Sequence, residues 1–403
     1  MVAQPASPQI YIAINDLLVY ASAISQPTGI QRVASGLAAA LIQTAGATPV
    51  LLTQDGARLA TLPNADPGSA APSGLGYLIR EPLLRILARL PRRVQEAVRS
   101  GARSLLAQRA AGSGGTLVSM NRGDWILLLG APWIAPRMAS SALAVSEQSG
   151  ARIGLLVHDL LPATEPRWFA DAQGRAAKLD VESLIAKASQ LFAVSPEVAA
   201  ELASRYEKRA VVILPAEPQL HNTALPTTRG EYVLYVGTLH PRKNLEALVE
   251  IWARWPDAPR LIFAGRRHPQ DGALFHAIAN AGSARAKIEL RHDVDDAALG
   301  RLYAGARFLV LPSRAEGWGL PVREAFAAGR PAIATDAVPA ALGSPFAQIV
   351  PAGDTVALEA AIRSWWESET PELLAARISR EFTPRTWHDS AADVLSALTR
   401  ASA

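Results

Sequence analysis

The chain has 403 residues, a net charge of +4, 49% apolar and 19% charged residues, and no cysteine. That length exceeds one ordinary core and implies two domains, and the missing thiols exclude disulfides and thiolate chemistry at a metal or nucleophile. No basic stretch leads into an apolar block near the start and no run of about 18 apolar residues occurs, so neither a secretory leader nor a spanning helix is expected and a cytoplasmic location is.

In chain order, short apolar runs at 10–14, 50–52, 125–129, 153–157, 191–194 and 211–214 read as buried strands. Between them, 31–43, 138–149, 175–189 and 196–205 read as helices. The stretch 54–116 is irregular, with a Pro/Gly/Ser-rich part at 63–76 read as a loop. From Gly76 to Ala110 the residues Arg80, Arg85, Arg89, Arg92, Arg93, Arg99, Arg103 and Arg109 face only Glu81 and Glu96, a local charge of +6 (eight minus two). Leu83, Leu84, Leu87 and Leu90 recur there at helical spacing, the pattern of a basic amphipathic helix. The segment 215–230, rich in proline, reads as a linker. A second alternation follows, with strands at 232–236, 261–264, 288–290, 308–311, 332–334 and 348–350, and helices at 355–367, 371–382 and 385–398. Strand–helix alternation repeated twice predicts an α/β protein of two Rossmann-like domains. The expected boundaries are 1–220, 231–384, and a final helix, 385–403, that carries Trp387 and returns to the first domain.

The chemistry gathers at strand ends of the second half. The strand at 232–236 runs into GTLHPRKN, where Gly237 permits close backbone approach and Arg242 and Lys243 open the next helix. A cation at a helix start beside a strand end suits a diphosphate, although such a start is also ordinary solvated surface. The strand at 261–264 runs into AGRRHP, with Gly265, Arg266 and Arg267 at the equivalent edge. The strand at 308–311 runs into LPSRAEGWGLPVRE, which brings Glu316 and Glu324, eight positions apart, to the same edge. Two carboxylates repel phosphate but accept hydrogen bonds from sugar hydroxyls.

These segments together resemble the nucleotide-sugar domain of retaining GT-B glycosyltransferases, specifically glycosyltransferase family 4, with its E-x7-E cassette after a strand ending in Pro-Ser. The resemblance runs over 232–351. It implies that Glu316 contacts the donor sugar, that Glu324 holds the ribose hydroxyls and that Lys243 binds the phosphates. It also implies that backbone N–H groups around Gly317, Trp318, Gly319 and Leu320 face the sugar and diphosphate. Many members carry arginine directly after the glycine of the first strand, where this chain has Thr238. The second phosphate cation is then Arg242 or Arg266, with Arg266 preferred on strand-edge geometry. In the first half, PTGIQRV resembles the family's glycine loop, placing Gly29 near the donor, and VHDLLP resembles a His-Asp segment in which His158 flanks the reacting carbon. A lone histidine after a strand is otherwise a satisfied core residue. Ser195, in AVSPEV, reads as a helix cap.

The resemblance implies metal-independent transfer with no cofactor beyond the nucleotide-sugar donor. Asp293-Val294-Asp295 matches a metal triplet by letters only and reads as a loop before a helix. The motif variants look most like mannosyl- and rhamnosyltransferase members, so the expected donor is GDP-mannose first and dTDP-rhamnose second. The expected acceptor is a lipid-linked or growing bacterial surface glycan. The basic segment 76–110 would then rest on anionic lipid at the inner membrane face, at roughly 1 kcal/mol per basic residue, or pack on its own domain. It lacks the aromatic interleaving of a nucleic-acid binder. Alternatives are a GT-B nucleotide-sugar epimerase and a catalytically idle scaffold of a polysaccharide assembly complex.

Overall fold

The computed structural model describes residues 8–23, 28–60, 116–135, 137–169, 172–217, 230–292 and 294–402. The chain divides into two units, Met1–Pro215 with Trp387–Ala403, and Ala216–Thr386. The basic segment 76–110 and most of the 215–230 linker lie outside the described residues.

In the first unit the strands are β1 (Ile10–Ala13), β2 (Thr48–Thr53), β3 (Gly56–Leu59), β4 (Leu117–Val118), β5 (Trp125–Leu128), β6 (Arg152–Val157), β7 (Gln190–Ala193) and β8 (Ala210–Val212). Their order across the sheet is β4-β3-β2-β1-β5-β6-β7-β8. From β2 through β1 to β8 all neighbours pair in parallel, whereas β2–β3 and β3–β4 are antiparallel. That antiparallel edge departs from the irregular stretch expected after residue 54. The connecting loop is Gln54-Asp55, with Gly56 at φ 130° paired to Thr53, and strands of four and two residues are too short to register as a pattern.

The second unit contributes β9 (Tyr232–Val236), β10 (Arg260–Ala264), β11 (Ile288–Arg291), β12 (Ala306–Leu311), β13 (Ala332–Thr335) and β14 (Ala347–Val350). All pair in parallel in the order β11-β10-β9-β12-β13-β14. Both faces of such a sheet are covered by helices, so its strands are near-continuous apolar runs; β9, β12 and β13 are buried at every residue. Arg307 in β12 is the exception in composition, 1% exposed. A register shift against β9 accompanies it, and its guanidinium is satisfied by Glu372 at 2.9 Å and the carbonyls of Trp366 and Ser368.

Each sheet reverses its strand order once, between β1 and β5 in the first and between β9 and β12 in the second. At such a point the connections leave in opposite directions, and the carboxyl ends of the two strands open a crevice for ligands.

The helix Gly29–Ala45 buries Val33, Ala34, Leu37, Ala38 and Leu41, a single stripe at helical spacing. It stops at left-handed Gly46, whose N–H returns to Ile42 O at 3.1 Å. The terminal helix Trp387–Ser402 packs against it in the same unit, burying Ala391, Val394 and Leu398. Ser390 donates to Leu214 O at 2.7 Å and Arg152 to Ser402 Oγ at 2.8 Å, which pins both ends of that helix.

Trp387 lies directly over Gly36, where an added Cβ would fall 2.3 Å from the indole. Gly36→Ala is therefore expected to cost about 1–3 kcal/mol, read as a lower urea midpoint at unchanged m-value. A midpoint equal to wild type would show that the indole moves aside freely.

Candidate functional site

At the second sheet's reversal, β9 ends in Gly237 and the chain passes through Leu239, which bridges to Arg267 beyond β10. Pro241–Lys243 form one tight helical turn and Asn244 adopts a left-handed φ of 55° before the helix Leu245–Ala253 begins. Lys243 thus precedes that helix instead of opening it, because Pro241 starts a separate turn and Asn244 breaks the continuity. Gly265 is required by contact: a Cβ there would sit 1.8 Å from Gly237 O, so the two loop backbones touch. After β12, Gly319 takes φ 105° and leads into the helix Leu320–Ala327. A Cβ at Gly319 would come 2.5 Å from Val338, so the cassette's turn needs glycine for both conformation and space.

These turns bring Arg242, Lys243 and Glu316 together. Glu316 Oε2 accepts from Arg242 Nη1 at 2.7 Å, while Oε1 accepts from Lys243 Nζ and from Ser313 Oγ, the latter at 2.7 Å. Arg242 also donates to Ala315 O at 2.6 Å, and Arg314 N donates to Arg242 O at 2.8 Å. Side-chain exposures are 19% for Arg242, 8% for Lys243 and 6% for Glu316. Burial alone would raise the Glu316 pKa, but the two cations overcome it and hold the carboxyl at about 2. His240, beside them, is pushed down to about 3 by burial and by the neighbouring His268, Arg242 and Lys243. It stays neutral and accepts from Arg242 N through Nδ1 at 3.1 Å. Two cations share one carboxylate here, an arrangement suited to an anion.

The other candidates of this unit lie around the cluster. Glu324, on the helix Leu320–Ala327 and 4% exposed, accepts from Tyr303 Oη at 2.6 Å. Trp318 O accepts from Ala340 N at 2.9 Å, while its indole Nε1 is buried with no hydrogen-bond partner among the described residues. Arg266 stands after β10 and its carbonyl takes Leu239 N at 2.9 Å; it is Arg242 that the structure joins to Glu316. Gly317 is buried and Leu320 half-buried. Sequence patterns assign no role to Ser313, Tyr303 or His240. The Pro-Ser strand end is the one available signal, for Ser313.

At the first sheet's reversal, Asp16 follows β1 and Gly130 follows β5. Asp16 is 1% exposed; its Oδ2 accepts from Ala131 N at 2.7 Å, and its Oδ1 is buried with no partner among the described residues. Burial raises its pKa to about 6 against the backbone N–H groups that lower it. Next along the edge, His158 follows β6, 8% exposed, with Nε2 2.8 Å from Leu129 O. A carbonyl only accepts, so Nε2 carries the proton and Nδ1 is the acceptor atom. Burial lowers the His158 pKa to about 4, outweighing that bond, so the ring is neutral. Gly29 is exposed at the start of its helix, behind the N-cap Thr28. Ser195 caps the helix Pro196–Tyr206, accepting from Val198 N at 3.2 Å. Asp295 likewise caps Asp296–Gly305, accepting from Ala298 N at 2.7 Å, and Asp293 lies outside the described residues. Among the described residues no group of three or more His, Asp or Glu side chains is placed to hold a metal ion.

Comparison with known proteins adds to this geometry. Residues 230–368 match the family model "Glycosyl transferases group 1". The O-antigen chain mannosyltransferase B of Escherichia coli is 37% identical over 109 residues, 26% of this chain and 28% of that protein. The O-antigen chain mannosyltransferase RfbU of Salmonella typhimurium is 25% identical over 184 residues, 45% of this chain and 51% of the relative. The chain therefore spans about a quarter to a half of the length of these relatives. Among solved structures, Anabaena HepE in complex with UDP-glucose superimposes with a TM-score of 0.63 at 15% identity, over 98% of this chain and 99% of that one. Sucrose-phosphate synthase from Thermosynechococcus elongatus gives 0.55 at 21% identity over 69% and 73%. The fold is that of the GT-B glycosyltransferases.

Asp16 and His158 flank the short run Leu129–Ala131 and have opposite linkage. Between about pH 6.5 and 4 the unfolded chain protonates its histidine while the folded chain keeps His158 neutral. Its contribution to stability is thus present at higher pH and lost on acidification. The folded chain holds the Asp16 proton up to about pH 6, so that contribution is full below the ordinary carboxylate range and lost as pH rises. Each is on the order of 3 kcal/mol. Urea denaturation between about pH 4.5 and 6.5 should show wild type gaining on His158→Gln, and losing ground to Asp16→Asn, as pH rises. Slopes of the same sign for both pairs would contradict the assignment.

Proposed function

We propose that this chain, with its group 1 glycosyltransferase domain, is a retaining glycosyltransferase that moves a sugar from a nucleotide donor to a bacterial surface or exopolysaccharide glycan. The observation that carries the reading is the joining of Lys243, Arg242 and Glu316 at the strand-order reversal, inside the segment matched by the family model. Cations buried at that crevice suit a diphosphate leaving group, and a carboxylate between them suits sugar hydroxyls. Glu324 is assigned to the ribose hydroxyls and the backbone of 317–320 to the sugar and diphosphate.

Departure of the nucleoside diphosphate develops negative charge on the bridging oxygen and oxocarbenium character on the sugar. Lys243 and Arg242 stabilise the first without a metal ion. Glu316, ionised throughout the physiological range, orients hydroxyls and adds negative potential near the second. Retention is assigned to front-face attack, with the leaving phosphate taking the acceptor proton. His158, assigned beside the reacting carbon, offers a lone pair at Nδ1 and no proton.

Mannose is the proposed sugar, supported by relatives named as O-antigen mannosyltransferases, with GDP-mannose as donor and dTDP-rhamnose second. A lipid-linked or growing glycan acceptor at the inner membrane face is supported by the basic composition of 76–110. No helix among the described residues is long and apolar enough to cross a membrane.

A thermal-shift panel of GDP-mannose, dTDP-rhamnose, UDP-glucose and an ADP-sugar tests the donor. The matching donor at about 100 times its Kd should stabilise by roughly 2.7 kcal/mol, and a flat panel would favour an idle scaffold. Glu316→Ala is expected to lower kcat on the order of 10²–10³-fold; unimpaired transfer would remove Glu316 from the mechanism. Flotation with vesicles containing anionic lipid should carry the protein upward, less so as salt rises; equal flotation with neutral vesicles would count against the basic segment.

A further inference from the structure

Glu316 is engaged more fully than a sugar-binding carboxylate should be. It has about four lone-pair positions, and three are taken by Lys243, Arg242 and Ser313. Two of those donors are the same cations that the proposed function assigns to the diphosphate. They cannot serve both anions fully at once. All three charged side chains are largely buried, where an unpaired cation is costly. A carboxylate from within the chain therefore pairs with both cations in this arrangement.

We propose that donor binding is an ion exchange, in which the diphosphate displaces Glu316 from Lys243 and Arg242 while Ser313 retains the carboxylate and turns its freed lone pairs toward the sugar. The inference rests on the reading of this site as a nucleotide-sugar site and adds Ser313 as a positioning residue. Ser313 suits the part because it is fixed independently of the cations. It is fully buried, and its carbonyl accepts from Thr335 Oγ1 at 2.5 Å across to β13. Its hydroxyl is a neutral donor directed at Glu316 Oε1 at 2.7 Å, so its bond to the carboxylate does not depend on the cations. The exchange keeps the cations paired throughout: they meet a carboxylate before binding and a diphosphate after it. It also links the two halves of the donor, since Glu316 becomes available to the sugar only once the phosphates have taken its cations.

The distinguishing consequence is that removing the Glu316 charge should strengthen binding of the bare anion while weakening catalysis. Isothermal titration of the full chain with inorganic pyrophosphate is expected to give a Kd at least fivefold lower for Glu316→Gln than for wild type, with transfer sharply reduced. Ser313→Ala is expected to leave the pyrophosphate Kd within twofold and to raise KM for the nucleotide sugar severalfold, with Ser313→Thr restoring it. If Glu316→Gln does not fold, Glu316→Asp, which keeps the charge but shortens the reach, should tighten pyrophosphate binding by a smaller factor. Pyrophosphate binding no tighter in the folded variant, absence of binding by both proteins included, overturns the exchange. So does a Ser313→Ala enzyme with unchanged KM. A wild-type protein that binds no nucleotide sugar in the panel refutes instead the donor-site reading on which the exchange rests.

Discussion

The ion cluster of Glu316 with Arg242 and Lys243 is the constraint on which the second unit's functional edge depends. It joins a loop after β9 to a loop after β12, 73 positions apart in sequence for the lysine and glutamate. Those two strands are the neighbours between which the strand order reverses. The backbone contact from Arg314 N to Arg242 O holds the same two loops. The two cations converge on one shared carboxylate, which ties the two loops together. The tight turns that bring these loops together are Gly265 against Gly237, Asn244 in a left-handed conformation, and Gly319 against Val338.

The first unit places a buried carboxyl and a buried imidazole, without a partner cation among the described residues, at the equivalent position. At its own reversal, Asp16 and His158 are buried, and burial shifts each toward its uncharged form. The Leu129–Ala131 run serves both, with a carbonyl for the imidazole and an N–H for the carboxyl. One edge carries an ion cluster; the other carries a buried carboxyl and a neutral imidazole held by backbone hydrogen bonds. The difference lies in the residues after the strands and not in the sheets, which share parallel pairing and a single order reversal.

The helix Leu320–Ala327 is anchored through a second buried carboxylate as well. Arg323, next to Glu324, pairs with Glu217 at 2.5 Å and lies over Phe382. Glu217 is 1% exposed in its side chain and also accepts from Arg385 N, while its own N–H donates to Arg385 O at 3.2 Å. The segments by which the chain enters and leaves the second unit are thereby tied together and to the helix Leu320–Ala327. A carboxylate this buried is tolerable because a cation and an N–H both satisfy it.

Much of this architecture is legible in the amino-acid sequence. The inner strands of the second unit, β9, β10, β12 and β13, announce themselves because a parallel sheet covered on both faces demands near-continuous apolar runs, whereas the edge strands β11 and β14 carry Glu289, Arg291 and Gln348 and are read from the strand–helix alternation. The cassette from Glu316 to Glu324 is local, so its glycines and carboxylates are visible as a motif. The short antiparallel edge at β3 and β4 escapes notice because so few residues carry no periodicity. What only the tertiary structure decided was pairing: that Glu316 meets Lys243 and Arg242, that Ser313 holds its other side, that Tyr303 meets Glu324, and that Asp16 and His158 share three residues of backbone. A residue's type and strand-end position are written locally, because periodicity and turn chemistry act over a few neighbours. Its partner, its burial and hence its charge state depend on which distant segment the fold lays beside it, and that is a property of the whole packed chain.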